Sequence, residues 1–183
     1  MQPMFLIVGP PAVGKSSTSK ALAATFGKSI HIPVDDIRNM VVSGLVLPSA
    51  DWNPELVQQI TVARESVIQI ALHYQKAGYA VVIDDFCDPN QLREYQTLLS
   101  APHVHKFVLF PKQETAHARN FQRAGDDPGR EYIDHGIRTV YQQLSLMIEN
   151  LREEGWIVLD TTDLSIEETL REILRHSEGD FPR

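Results

Sequence analysis

Residues 9–18 read GPPAVGKSST and follow directly on the apolar run Phe5, Leu6, Ile7 and Val8. An unbroken apolar run of this kind predicts a parallel strand buried on both faces. From Lys15 the residues favour helix, with Leu22, Ala23 and Phe26 at helical spacing and Gly27 as a stop. Between strand and helix, Gly9, Gly14, Lys15 and Ser16 match the phosphate-loop pattern G-x-x-x-x-G-K-[ST], in the strand-then-helix context the pattern requires. A loop that wraps a polyphosphate must turn successive backbone N–H groups inward and let the ligand come close to the main chain, which glycine permits because it has no Cβ. The helix that follows adds its free N–H groups and positive dipole end. Gly9, Pro10, Pro11, Ala12, Val13, Gly14, Lys15, Ser16 and Ser17 are therefore expected to hold a nucleotide, with the prolines stiffening the loop. Lys15 would lie between the β- and γ-phosphoryl oxygens, and the Ser16 hydroxyl would be a ligand of Mg²⁺.

Outward from this stretch, strand and helix patterns alternate. SIHIPV (29–34), YAVVIDD (79–85), HVHKFVLF (103–110) and WIVLD (156–160) predict four more strands. Asn53 and Pro54 read as a cap and first residue of a helix carrying Leu56, Ile60, Ala63, Val67, Ile70 and Tyr74 on one face, with Gly78 as its stop. Asp88 and Pro89 repeat the cap device. Ile133, Ile137, Val140, Leu144, Met147 and Leu151 predict one amphipathic helix, and Ser165 with Glu168 a capping box for the last. The expected fold is a single α/β domain over 1–183, a five-stranded, mainly parallel sheet with helices on both faces. Ligands on such sheets sit at the carboxyl ends of the strands.

With 183 residues, 43% of them hydrophobic, the chain is long enough for one well-cored domain and short for two. A net charge of −7 disfavours a polynucleotide or an anionic membrane as partner. Cys87 is the single cysteine, so no intrachain disulfide forms, and there is neither a signal-type N-terminus nor an apolar run of membrane-spanning length. A cytoplasmic location is expected. Nothing in the sequence speaks to oligomeric state.

Charged residues gather where the predicted strands end: Asp35, Asp36 and Arg38 after the second, Asp84 and Asp85 after the third, and Arg119, Arg123 and Arg130 after the fourth. Phosphoryl transfer uses such a division, with carboxylates near the metal and the acceptor hydroxyl and guanidinium groups over the charge on the transferred group. Asp84, ending an apolar strand beside the phosphate loop, is the metal-side candidate together with Ser16, and Asp85 is assigned to the acceptor side. Asp35 has a second reading, as the N-cap of the helix after the second strand. The stretch RNFQRAGDDPGREY mixes arginines with Gly125, Asp127, Pro128 and Gly129, the composition of a connection able to close over a nucleotide, and defines a lid at about 119–131.

The combination of GPPAVGKSS, VDDIR, VIDD and RNFQR resembles small P-loop kinases of the group holding the phage polynucleotide 5′-kinase domain, chloramphenicol phosphotransferase and the zeta-toxin-like sugar-nucleotide kinases. The resemblance implies that Asp35 is the general base, that Arg38 holds the acceptor side, and that Arg119 and Arg123 belong to a catalytic lid. It favours Asp35 over Asp36. The acidic charge departs from the polynucleotide enzyme.

The leading expectation is an ATP-dependent kinase that transfers the γ-phosphoryl to a hydroxyl of a small molecule, with ATP and Mg²⁺. A nucleoside or polynucleotide 5′-hydroxyl kinase is the alternative, and a non-kinase ATPase or switch protein the second. No Asn-Lys-x-Asp guanine-reading motif and no LSGGQ-type signature is present, which favours ATP as donor. The insert NMVVSGLVLPSADWNPE (39–55), with Met40, Val41, Leu45, Leu47 and Trp52, is expected to wall the acceptor side and to suit an uncharged or partly apolar acceptor. His103 and His105 share a strand face without a third ligand of suitable spacing. Cys87 reads as an inert thiol, Trp156 as core or cleft wall, and Thr161 or Thr162 as a lining of the base site.

Overall fold

The computed structural model describes residues 2–46, 53–86, 93–127 and 129–177. Trp52, Cys87, Asp88, Pro89, Leu47 and Pro128, all singled out above, lie outside them. β1 (Met4–Val8) is completely buried at the centre of a five-stranded sheet. It pairs in parallel with β3 (Ala80–Asp84) on one side and β4 (Val104–Leu109) on the other. β2 (Ser29–Pro33) extends the sheet beyond β3, and β5 (Ile157–Leu159) beyond β4. The order is β2-β3-β1-β4-β5, parallel throughout. The chain leaves β1 to one edge and returns to the other, so the mouth beyond the carboxyl end of β1 is where a ligand site is expected.

The strand period of two divides the core. Met4, Leu6 and Val8 face one layer, against Ala63, Val67 and Ala71 of α3 (Pro54–Lys76), Leu144 of α6 (Gly129–Ser145) and Leu151 of α7 (Ile148–Glu153). Phe5 and Ile7 face the other, against Leu22 of α1 (Lys15–Ala23) and Ile173 of α8 (Ile166–Ser177). Two short helices, α2 (Val34–Asn39) and α4 (Gln96–Leu99), and α5 (Gln113–Ala124) complete the layers. Among the described residues, no helix is long and apolar enough to cross a membrane.

Local signals explain most boundaries. The Asn53 side chain accepts the Leu56 N–H at 2.8 Å with Pro54 opening α3. Ser165 and Glu168 form the reciprocal pair of a capping box. Two expectations need correction. The continuous helix over 133–151 breaks between α6 and α7: the Ser145 hydroxyl donates back to Tyr141 O at 2.6 Å, and Leu146 N–H and Met147 N–H donate to carbonyls three residues back, tightening the turn until the helix restarts at Ile148. α1 ends at Ala23, before Gly27, where the Thr25 hydroxyl takes the Leu22 carbonyl at 2.7 Å.

Candidate functional site

The phosphate loop is shaped by steric facts that the pattern of glycines encodes. At Gly9, with φ of 152°, an added Cβ would lie 2.4 Å from the Leu109 carbonyl oxygen of β4. Gly14, at φ 97°, is the residue before α1. Ala12 holds φ of 61°, a conformation that costs a non-glycine residue free energy and recurs at functional sites. Gly9→Ala is expected to destabilise the fold by more than about 1 kcal/mol, read as a drop in the denaturant midpoint; an unchanged midpoint would contradict this packing. Pro10 and Val13 are buried, so both serve the loop through their main chain.

Lys15 Nζ donates to Pro10 O at 2.8 Å and so lies folded across its own loop. The Ser16 hydroxyl donates to Asp84 Oδ1 at 3.0 Å, while Asp84 Oδ2 pairs with His31 Nε2 of β2. A hydroxyl and a carboxylate thus stand together at the start of α1, the oxygen donors a hard divalent cation prefers. Mg²⁺ fits these residues. His31 was not picked out above; its alternation on β2 brings it to the carboxylate that ends β3, a juxtaposition only strand pairing creates.

Two cavities open on either side of the loop and share Ala12, Gly14, Ser17 and Arg123. The larger, about 610 Å³, lies between α2, α3 and α6 and holds Lys15, Ser16, Asp35, Arg38, Asp84 and Asp85 on its walls. The smaller, about 400 Å³, lies between the loop and α8 and is lined by Arg119, Thr161 and Thr169. In it the Thr161 hydroxyl is buried with no hydrogen-bond partner among the described residues, whereas Thr162 donates its hydroxyl to Asp160 and accepts from Lys112 N–H. Of the two threonines, Thr161 is the one that lines the smaller cavity.

Asp35 lies in the first turn of α2, where Pro33 is the N-cap and no side-chain cap bond forms. Its carboxylate is 73% exposed and 4.0 Å from Arg38 Nε. Asp36 is also exposed and does not line the larger cavity. Arg38, 7% exposed, donates Nη1 to Val46 O at 2.9 Å.

Asp85, Arg119 and the arginine stretch after β4 are each engaged with groups of the protein itself. The Asp85 carboxylate is buried and engaged: Arg64 Nε donates to Oδ2 at 2.6 Å, the Tyr95 hydroxyl to the same oxygen at 3.0 Å, and Phe86 N–H to Oδ1 at 2.7 Å. It forms part of the cleft floor rather than a free hand for the acceptor. Arg119 lines the smaller cavity, its two Nη atoms donating to Val13 O and Thr161 O at 2.9 and 2.8 Å; it ties the loop to the chain after β5 instead of facing the cleft with Lys15. The arginine stretch is helical, with Arg119 and Arg123 on α5 and only a short connection before α6. Arg123 donates to Asn120 Oδ1 at 3.3 Å and reaches both cavities. Arg130 donates to Gly125 O at 2.7 Å and lies over the Phe121 ring, so it braces the lid turn.

Arg64 is the buried cation that sequence reading missed. It is 1% exposed and bonds Asp85, Phe86 O and Glu94, whose side chain is 6% exposed. A lone arginine on the apolar face of α3, one residue after Ala63 and three before Val67, was the available signal, because a buried guanidinium requires a carboxylate. Burial pushes the Asp85 carboxyl up despite Arg64, and pushes the Tyr95 hydroxyl well up. Arg64→Ala would strand Asp85 and is expected to cost about 3–5 kcal/mol, measured by chemical denaturation; a loss under 1 kcal/mol would show that the network is not structural.

Helices α5 and α6 are joined through Asp134, whose Oδ1 accepts from Asn120 Nδ2 at 3.0 Å and pairs with His117 Nδ1 at 2.7 Å. Those hydrogen bonds hold the Asp134 carboxyl below its ordinary range. A depressed acid stabilises above its unfolded value of about 3.9 and loses that contribution as pH falls through the folded value. Amide protection of α5 and α6 should therefore fall below about pH 4, and Asp134→Asn should lower protection at neutral pH and flatten that dependence; an identical acid profile in the variant would refute the role. Elsewhere His105 stacks on Phe5 at 5.1 Å, and no cluster of three or more metal-ligating side chains occurs among the described residues.

The comparisons with known proteins agree with this architecture. No curated protein matches the chain in sequence. Among solved structures, a gluconokinase from Sinorhizobium meliloti is similar at a TM-score of 0.58 and 20% identity, covering 96% of this chain and 94% of that one. Shikimate kinase from Acinetobacter baumannii, solved with shikimate, has a TM-score of 0.63 at 16% identity, covering 96% and 93%. The tunicamycin resistance protein of Deinococcus radiodurans has a TM-score of 0.60 at 14% identity, covering 96% and 95%. These likenesses establish the fold, and the family model of the AAA domain AAA_33 matches residues 4–142. With its phosphate loop after β1, its parallel order β2-β3-β1-β4-β5 and that match over most of its length, the chain belongs to the AAA_33 family, built on the fold of small P-loop kinases.

Proposed function

We infer that this protein is an ATP-dependent kinase that transfers the γ-phosphoryl group to a hydroxyl of a small molecule. The observation that carries the reading is the pair of cavities meeting at the phosphate loop, one floored by Asp35, Arg38 and Asp84, the other by Arg119 and Thr161. A hydrolase needs one site beside its loop; a transferase needs two, with the transferred group between them. Two of the similar structures are themselves kinases, by name a gluconokinase and a shikimate kinase.

In this reading the loop N–H groups and the N-terminus of α1 bind the phosphates. Lys15 leaves Pro10 O and meets the charge that develops on the transferred group. Arg123, at the junction of the cavities, meets the same charge from the lid. Ser16 and Asp84 would hold Mg²⁺, which would supply further neutralisation of the phosphates. Arg119 and Thr161 line the nucleoside side. Asp35 accepts the proton of the acceptor hydroxyl as its oxygen bonds to phosphorus and the bond to the leaving β-phosphate oxygen breaks.

The test is acceptor-dependent formation of ADP across a library of hydroxyl compounds, preceded by thermal stabilisation with a non-hydrolysable ATP analogue. ATP hydrolysis that no acceptor accelerates would point to a non-kinase ATPase. Phosphorylation of single-stranded DNA with binding that weakens steeply with salt would point to a polynucleotide kinase.

A further inference from the structure

The acceptor half of the larger cleft has a charge balance that limits what can enter it. Its two guanidinium groups, Arg38 and Arg64, are both committed. Arg38 faces the Asp35 carboxylate and donates to Val46 O. Arg64 is sandwiched between Asp85 Oδ2 at 2.6 Å and Glu94 Oε2 at 3.5 Å, and also donates to Phe86 O. With Arg93 Nε 3.6 Å from Glu94 Oε1, three guanidinium groups stand against three carboxylates, and each is already paired. The other cations lining the cleft, Lys15 and Arg123, belong to the loop and to the junction with the second cavity, where the phosphates sit.

The opposite wall, on α6, adds polar groups that carry no fixed charge: Tyr132, Thr139 and Gln143, with His135 beside them. Leu56, Ile60 and Phe86 supply an apolar side. A carboxylate or phosphate on the acceptor would have to be desolvated beside Asp35 and Asp85, or displace one of the carboxylates from Arg64, and a buried charge without a partner is strongly disfavoured.

The geometry points to an uncharged acceptor: a neutral molecule that carries one or more hydroxyls and an apolar face, and not a hydroxy acid or a phosphorylated compound. This rests on the kinase reading for the identity of the cleft as the acceptor side. Specificity here is exclusion, because the cleft spends its cations on its own carboxylates before any ligand arrives.

The experiment uses pairs of one carbon skeleton that differ in an anionic group: gluconamide and gluconate, methyl shikimate and shikimate, thymidine and thymidine 3′-monophosphate, phenylglycerol and its ring carboxylate. Each is titrated against the full-length protein saturated with Mg²⁺ and a non-hydrolysable ATP analogue, at pH 8 to keep histidine neutral, with binding read by calorimetry and transfer read separately with ATP. In at least one pair the neutral member should bind 10-fold or more tightly than its anionic partner. Glu94→Gln frees part of Arg64 and should raise the affinity of anionic members about 10-fold while leaving neutral ones within 2-fold, provided its melting curve stays cooperative; a folded variant with unchanged anion affinity would count against the mechanism. Tighter binding of the anionic members to the wild type, equal binding within pairs, or no binding by any neutral member would overturn the inference. Neutral binding without phosphoryl transfer would leave it standing and refute the kinase reading, whereas transfer to anionic members would do the reverse.

Discussion

Asp35→Asn should lower phosphoryl transfer by about 10²- to 10⁴-fold, the range over which a positioned general base acts, while Mg·ATP affinity and melting temperature stay close to those of the parent. The structure makes this substitution clean. Asp35 is 73% exposed, so no core contact is lost, and the N-cap of α2 is Pro33, so no cap is lost either. What folding loses is the favourable interaction of one exposed carboxylate with the first turn of a helix, about 0.3–1 kcal/mol, together with its solvent-screened pairing with Arg38 Nε at 4.0 Å. Asparagine keeps the volume and a carbonyl acceptor but cannot take the hydroxyl proton at neutral pH. Transfer is measured against whichever acceptor the library yields, beside the melting curve and the nucleotide affinity. Near-parental transfer would remove Asp35 from the chemistry, and Asp36→Asn provides the control, because that carboxylate does not line the cleft.

Lys15→Ala should lower the transfer rate by about 10²- to 10³-fold, as removal of one transition-state donor commonly does, with a much smaller change in nucleotide affinity. Lys15 Nζ donates to Pro10 O at 2.8 Å, so in the proposed reading it exchanges that carbonyl for a phosphoryl oxygen. In the proposed reading the loop N–H groups hold the ground state, and the substitution leaves them intact. Interactions that strengthen only as charge moves act on turnover rather than on binding. The decisive comparison is single-turnover rate against the dissociation constant of the ATP analogue. Equal losses in both would make Lys15 a ground-state anchor, and an unchanged rate would take the loop out of catalysis altogether.

The amino-acid order alone determined the phosphate loop, the five strands and the end of the sheet at which charged residues gather. Those features are local: a spaced pair of glycines and a lysine between a strand and a helix, an unbroken apolar run, an aspartate where an apolar strand ends. The capping box at Ser165 and Glu168 was legible for the same reason, since both partners lie within one turn. Only the tertiary structure decided which charges are free. Asp84 and Asp85 are neighbours in the chain, yet alternation along the strand end sends one to Ser16 and His31 and the other to Arg64 and Tyr95. Arg119 and Arg123 are one helical turn apart, yet one is bound to Val13 O and Thr161 O while the other reaches both cavities. Whether a guanidinium can receive a substrate depends on which carboxylates and carbonyls the fold has already set against it, and for Arg64 and Arg119 those partners come from positions 21 to 106 residues distant. Local spacing holds no record of that competition, because the energy of a buried charge is set by everything that surrounds it in space.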